Sequence, residues 1–358
     1  MKRVFVDLHV LQSVPPNCIN RDDSNSPKTA FYGGVRRARV SSQAWKRDMR
    51  IMFRDYYDAS ELCIRTKRVF ELIADEMLKT SADLSKDEAI AKAKDALKLV
   101  KILPSKKKDK ENESEALVFL SSQQVKNIAA VALGAADVKE VIKALKENNG
   151  VEIALFGRMA AKTTELNCDA CVQVAHAIST HRVENEYDFF IAEDDYASKI
   201  KDHKGGAHID TMEFNSATLY RYATIAAHEL YDQLSKDGEA TAKAIREFTR
   251  AFICSMPKGK QHSYAAHTVP EAVLAVIRDD RPLNLADAFE KPVNAKEEDG
   301  LVKNSACAFA ERAKEVYKDF CAPPKKGFVI GKYWDELGDH VNLNEMLQQL
   351  STEAIAVL

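Results

Sequence analysis

A long helical stretch between strand-like runs is the feature that most constrains how this chain can fold. From Glu61 to Leu145, apolar residues recur at helical spacing and predict four helices. Ser85 and Glu88 form a capping-box pattern at the start of the second helix. A lysine-rich break of low apolar content, Ser105 to Glu115, separates the second helix from the third.

Strand-like runs lie on both sides of this stretch. Residues alternate from Val4 to Leu11, which predicts a half-buried strand, and the turn-rich segment Pro15–Gly34 predicts a long loop. Helices are predicted around Ala170–Ile178 and Ala240–Cys254. Three more strand-like runs follow, at Glu152–Phe156, Thr218–Ile225 and Val273–Arg278. Strands separated by helices, with one large helical insertion, fit an α+β domain of ferredoxin-like or RRM-like type.

The segment from Cys18 to Arg50 concentrates positive charge around a predicted helix start. Its helix is predicted to be capped by Ser42 and to bury one apolar face, made of Trp45, Met49, Met52, Phe53 and Tyr56. The basic residues around the start are Arg36, Arg37, Arg39, Lys46, Arg47 and Arg50. Unpaired N–H groups and the helix dipole attract phosphate oxygens there, so this pattern favours a grip on a nucleic-acid backbone. A solvated basic helix is the alternative.

Composition limits where nucleic acid could bind. The chain has 358 residues and a formal net charge of -2, so any charge that binds nucleic acid must be concentrated in a groove. Seven cysteines, an odd number, fit a reducing compartment. A signal-peptide pattern and a bilayer-spanning apolar stretch are both absent from the sequence, which predicts a cytoplasmic protein without a membrane partner.

Motifs for enzyme chemistry are weak. Cys168 and Cys171 form a CxxC pair on a predicted helix, without a second pair at zinc-finger spacing. Two histidine pairs lack carboxylate partners at metal-binding spacing: His176 with His181 and His262 with His267. Glycine-rich phosphate loops of the Walker or dinucleotide type are absent as well. We therefore expect neither a metal site nor a cofactor.

A collinear series of motifs runs through most of the chain. It comprises NRDD (20–23), RRARVSSQ (36–43), ALFGRMA (154–160), TEL (164–166), AHAISTH (175–181), GAHI (206–209), YRYA (220–223), KQHSYAA (260–266) and NLADAFEK (284–291). This series resembles the backbone subunit of the type I-E CRISPR surveillance complex Cascade, the CasC family. The likeness is weak from about Ala59 to Asn149 and after Val302.

The resemblance implies a three-part anatomy and a function. Residues 1–58 and 214–358 would form an RRM-like (ferredoxin-like) palm, residues 59–181 a helical fingers insertion, and residues 182–213 a β-hairpin thumb. The protein would bind CRISPR guide RNA without cutting it, and would polymerise along it with further copies of itself. It would contact other Cascade subunits and present the guide for pairing with target DNA, without a cofactor.

The resemblance also implies site residues. Those expected to contact RNA are Lys28, Arg36, Arg37, Ser41, Gln43, Lys46, Arg47, Arg50, Met159 and Lys260. Those expected to wedge between bases at the thumb are Phe190, Ile191 and Ile209. From the residues alone, a buried strand at 189–191 and a core methionine at position 159 are the alternatives.

Two other functions stay open. In related type III backbone subunits, a loop aspartate takes part in metal-dependent cleavage of target RNA, and Asp22 and Asp23 occupy a comparable loop. Arg21 could instead neutralise one of these carboxylates in an ion pair. A single-stranded RNA chaperone of RRM type is the third interpretation.

Overall fold

A computed structural model describes residues 2–81, 83–160, 162–192, 208–295 and 299–358. The fold is mixed α+β. Its strands are β1 (Phe5–Asn17), β2 (Thr29–Tyr32), β3 (Val35–Val40), β4 (Cys63–Thr66), β5 (Val118–Ser121), β6 (Val172–Val174), β7 (Ala177–Ser179), β8 (Glu186–Ala192), β9 (His208–Ala226), β10 (Ala272–Arg278), β11 (Lys326–Gly331) and β12 (Asp339–His340).

Helices connect and cover these strands. They are α1 (Ser42–Met52), α2 (Val69–Thr80), α3 (Lys86–Lys98), α4 (Ser122–Leu133), α5 (Val138–Lys146), α6 (Val151–Phe156), α7 (Ala227–Gln233), α8 (Gly238–Cys254), α9 (Gln261–Tyr264), α10 (Gly300–Asp319) and α11 (Leu343–Val357). Among the described helices, none is both long enough and apolar enough to cross a membrane.

The described chain divides into two compact units. We call residues 50–173 with 225–247 the helical unit, and residues 2–49, 174–224 and 248–358 the sheet unit. In the helical unit, α2 to α5 enclose one apolar core that includes Phe70, Ile73 and Ile128. The predicted Ser85–Glu88 capping box is present at α3, and a second box joins Ser121 to Gln124 at α4. The four helices predicted between Glu61 and Leu145 are confirmed.

The sheet unit is built on a strand order of β12-β11-β10-β1-β9-β7-β3-β2. β1 pairs antiparallel with β10, with Val10 opposite Val273. α10 packs on β1, and α11 packs on β10 and β11. Residues Phe5 to Gln12 are all buried. The predicted strand is therefore confirmed, but its half-buried character is wrong, because both faces of a central strand are covered.

Three local predictions are wrong. The run Glu152–Phe156 is helix α6 rather than a strand, because a short apolar run cannot be told from a buried helix by periodicity. The predicted helix Ala170–Ile178 contains strands β6 and β7, so Cys168 and Cys171 do not lie on a helix. The predicted loop Pro15–Gly34 is shorter, since β1 runs to Asn17 and β2 pairs with β3.

Candidate nucleic-acid interface

The basic segment leads through β3 to the start of α1. The Ser41 hydroxyl accepts a hydrogen bond from the Ala44 amide at 3.3 Å, and the Ser41 amide donates to Asn20 Oδ1 at 2.8 Å. The cap is thus Ser41, one residue before the predicted Ser42, which is buried. Asn20 ties the preceding loop to the helix start, which fixes the position of the first turn.

The predicted apolar face is buried at three positions, two in α1 and one in the 3₁₀ turn after it. Trp45, Met49 and Phe53 are buried. The Arg221 guanidinium stacks 3.8 Å from the centroid of the Trp45 ring, within the sheet unit. Tyr56, predicted for the same face, is exposed because α1 ends at Met52 and a short 3₁₀ turn follows.

Four side chains of the sheet unit form what we call the cationic cluster: Lys28, Arg39, Lys46 and His176. Arg39 donates through Nε to the Thr29 carbonyl at 3.2 Å, and its Nη1 lies 3.1 Å from His176 Nδ1. Burial lowers the pKa of His176, and the positive charges of Arg39, Lys28 and Lys46 lower it further. Burial also lowers the pKa of Lys46. The structure therefore brings together two predicted RNA contacts, Lys28 and Lys46.

Sequence reasoning missed His176 as a member of this cluster. In the sequence, His176 was noted only for its pairing with His181, whose spacing does not match a metal site. Its role depends on a contact with Arg39, 137 residues earlier in the chain. The charge concentration in the segment before α1 was the one available signal, and it did not point to a histidine.

The exposed residues of the basic segment are a distinct group. Gln43, Arg36 and Arg47 present their side chains to solvent. The Arg47 Nη1 atom lies 3.7 Å from Asp48 Oδ1. Arg36 lies over the ring of Phe31, 5.8 Å from its centroid. These side chains are accessible to an incoming phosphate.

Arg37 serves the fold instead. Its side chain is fully buried, and burial lowers the pKa of its guanidinium. The guanidinium donates to the carbonyls of Tyr32, Ser179 and Phe289 at 3.1, 3.1 and 2.7 Å. A buried guanidinium engaged by backbone carbonyls is not accessible to a phosphate, so we leave Arg37 out of the proposed contact set.

Arg50 is also engaged inside the protein. In the helical unit, its Nε lies 2.6 Å from Glu152 Oε1, and its guanidinium lies 4.7 Å from the centroid of the Phe119 ring. Glu152 is buried and also accepts a hydrogen bond from the Cys63 amide. Arg50 therefore compensates the charge of a buried carboxylate. Its guanidinium is less available to an RNA phosphate than the exposed guanidinium of Arg47.

Met159 lies on the surface of the helical unit, with 86% of its side chain exposed. Gly157, at a φ of 74°, turns the chain out of α6. Arg158 then holds the turn by donating to the carbonyls of Leu166 and Leu145 at 2.9 and 2.8 Å. The core alternative for Met159 is wrong.

Lys260 follows a close backbone approach in the sheet unit. A Cβ on Gly259 would lie 2.4 Å from the Ile19 carbonyl oxygen, so only glycine fits there. Lys260 itself adopts a φ of 45°, and its charge partly opposes the rise in the pKa of Cys18 that burial causes. Lys260 is therefore held beside the start of the basic segment.

The β8–β9 hairpin extends the sheet unit with exposed apolar residues. Phe189 and Ile191 are 60% and 51% exposed, and Phe190 is also exposed, so the buried-strand alternative is wrong. Phe190 lies opposite Asp210, and Ile191 opposite Ile209. Because side chains alternate along a strand, Phe190 and Ile191 point to opposite faces of the hairpin. Residues 193–207 and the Ile209 side chain lie outside the described part.

Comparison with known proteins shows the family to which a chain of this architecture belongs. A model of the family described as "CT1975-like protein" matches residues 6–353. The chain belongs to the CT1975-like family. No curated protein sequence matches it.

Two solved structures resemble this CT1975-like chain along almost their whole lengths. One, titled "CRISPR RNA-guided surveillance complex, pre-nicking", has a TM-score of 0.85 and 30% identity, and the match covers 98% of this chain and 100% of that one. Another, titled "CRISPR RNA-guided surveillance complex", has a TM-score of 0.72 and 25% identity, with coverage of 96% and 99%. Together with the family match, they support a CRISPR protein of Cascade type and an α+β fold shared with subunits of such complexes.

The aspartates of the alternative nuclease site lie in a tight turn of this CT1975-like chain. Asp22 Oδ1 accepts hydrogen bonds from the amides of Ser24 and Ser26 at 2.9 and 3.0 Å. Arg21 donates to Asn25 Oδ1 at 3.0 Å rather than to a carboxylate. Among the described residues, no three His, Cys, Asp or Glu side chains are grouped so that they could hold a metal ion. Asp22 thus has a structural task, which is to close the turn.

Proposed function

We propose that this chain is the guide-RNA-binding backbone subunit of a type I-E Cascade, of the CasC kind. The observation that carries the proposal is one compact unit with both a cationic cluster at a helix start and an exposed apolar hairpin. Phosphate oxygens fit the first feature and unstacked bases fit the second. The titles of its solved relatives describe RNA-guided complexes, which supports RNA as the ligand.

The phosphate contacts are assigned to the accessible part of the basic segment. Lys28 and Lys46 supply charge within the cationic cluster, and Arg47 adds an exposed guanidinium one residue further along α1. Gln43 is exposed in the first turn of the same helix, and the buried Ser41 caps that turn. Contacts of this kind recognise the charge and shape of the RNA backbone rather than its sequence. Recognition of the target sequence is therefore left to base pairing.

The hairpin is the proposed thumb. Side chains inserted between base steps unstack them and kink the strand. Phe190 and Ile191, on opposite faces, would contact different neighbours: one face meets the kinked step and the other packs against protein or RNA beside it. Repeated in successive copies along one guide, such wedges would divide it into short segments that face outward for pairing with target DNA.

The three-part anatomy belongs to the same proposal. The palm, RRM-like in type, comprises residues 1–58 and 214–358, the fingers residues 59–181, and the thumb residues 182–213. Other Cascade subunits are the proposed partners, and the cytoplasm is the proposed location. Met159, exposed on the fingers, and Lys260, on the palm, are secondary RNA contacts.

The subunit is proposed to hold RNA without cutting it. The test is to incubate the purified protein with guide RNA, a complementary RNA strand and Mg²⁺, and to separate the products by length. The expected result is stable binding with both strands intact. Periodic fragments that disappear in the Asp22→Ala or Asp23→Ala variant would overturn this proposal and identify a metal-dependent ribonuclease of the type III kind.

A further inference from the structure

A groove of about 620 Å³ opens at the base of the β8–β9 hairpin, inside the sheet unit. We call it the aromatic groove. Its walls include Phe31, Arg36, Arg182, Tyr187 and Glu213. None of the RNA contacts assigned in the proposed function involves these residues.

The aromatic groove exposes two rings. Phe31 is 77% exposed and Tyr187 is 68% exposed. Keeping large aromatic surface in water is unfavourable, by about 25 cal/mol for each Å² of apolar area. Exposed aromatic residues that share one concave surface therefore mark a binding site rather than scattered surface residues.

The charges of the groove are unequally engaged. Arg182 pairs with Glu184 at 2.5 Å, and Glu213 accepts a hydrogen bond from the side-chain amide of Asn185 at 2.9 Å. Arg36 lies over the Phe31 ring and has no carboxylate partner in the part of the chain that the structure describes. The groove thus offers aromatic faces beside one uncompensated cation, together with amide and carboxylate groups that can meet the edge of a base.

The groove is continuous with the hairpin. Tyr187, Phe189 and Ile191 occupy alternate positions of β8 and so share one face, opposite Glu213 and Thr211 of β9. Alternate side chains of a strand are about 6.8 Å apart, twice the spacing of about 3.4 Å between stacked bases. One base can therefore lie between two such side chains.

We infer that the aromatic groove binds one unpaired nucleobase of single-stranded RNA, stacked on Phe31 and Tyr187, with Arg36 at the adjoining phosphate. This inference rests on the proposed function, because it extends the thumb contact to a neighbouring nucleotide. An aromatic ring beside a free arginine is suited to a nucleotide, because the base has a π-face and the phosphate a negative charge. A purely apolar protein segment would leave Arg36 without a counter-charge.

The test compares the parent with a Phe31→Ala, Tyr187→Ala double variant in the binding of labelled single-stranded guide RNA. Loss of base stacking should weaken binding about 5- to 150-fold while the salt dependence stays unchanged, because no phosphate contact is removed. Phe31→Trp with Tyr187→Phe should restore affinity. Phe320→Ala, at another exposed aromatic of the same unit, is the control and should bind as the parent does.

A second readout locates the base directly. Iodouridine-substituted RNA, irradiated in the complex, should crosslink to peptides that contain Phe31 or Tyr187. Unchanged affinity with crosslinks elsewhere would overturn the inference and leave the proposed function standing. Normal RNA affinity with loss of subunit association would overturn it by identifying a protein-docking surface. Failure of the parent to bind RNA would overturn both proposals.

Discussion

Neutralising two basic residues of α1 should change the salt dependence of RNA binding by a calculable amount. Arg47 is 70% exposed, with only a 3.7 Å approach to Asp48, and Lys46 belongs to the cationic cluster. Each contact to a single-stranded phosphate contributes about 0.7 to the slope of log affinity against log salt. Lys46→Gln with Arg47→Gln should therefore reduce the slope by about 1.4.

Over a fourfold rise in salt, this difference means that the parent loses about 7-fold more affinity than the double variant. Fluorescence anisotropy with labelled guide RNA at several salt concentrations measures both slopes. Lys318→Gln with Lys332→Gln removes the same charge from another surface of the sheet unit, and should leave the slope unchanged. Equal slopes for the parent and the Lys46, Arg47 variant would refute the reasoning and show that α1 presents only a solvated face.

Three further predictions concern the fold and the hairpin. Arg37→Met should lower the free energy of unfolding by about 3 kcal/mol in urea denaturation, because several buried carbonyls lose their donor. Burial raises the pKa of Asp7 to about 6 and lowers the pKa of His9 to about 3. Between about pH 3 and 6.5, His9 is protonated in the unfolded chain but neutral in the folded protein, so the His9 contribution to stability rises with pH. Between pH 3.8 and about 6, Asp7 is ionised in the unfolded chain but protonated in the folded protein, so the Asp7 contribution falls with pH. The two effects cancel between about pH 4 and 6, and Asp7→Asn should reveal a rise of about 1.4 kcal/mol per pH unit in unfolding titrations; a flat profile would contradict this. Phe190→Ala with Ile191→Ala should cost about 1–3 kcal/mol per unstacked base and weaken target pairing more than guide assembly; normal RNA content with normal target affinity would contradict the wedge.

Local sequence patterns were sufficient to predict an element when its own residues carry the periodicity or the capping motif. The helices α2 to α5 form in the stretch where periodicity predicted four helices, and the capping box at Ser85 and Glu88 marks the start of α3. Predictions for short segments failed because tertiary contacts with distant residues decide the conformation of those segments. Glu152 lies in a helix where its carboxylate meets Arg50 and the Cys63 amide, neither of which is near it in sequence.

The candidate site was predictable in composition but not in detail. Neighbouring arginines look alike in a sequence, yet Arg36 is exposed while Arg37 is buried against carbonyls from positions 179 and 289. His176 joins the cationic cluster only through tertiary contact with Arg39. The aromatic groove likewise forms only when β2, β3 and β8 come together in the fold, and no local sequence pattern predicts that arrangement.

Native mass spectrometry of the protein assembled on RNAs of increasing length tests the central claim most directly. A backbone subunit that repeats along one guide predicts a copy number that rises in equal steps as the RNA is lengthened. Each step should correspond to a constant number of nucleotides, set by the spacing of successive thumbs. A single copy on every RNA, or a copy number unrelated to RNA length, would contradict the proposed role.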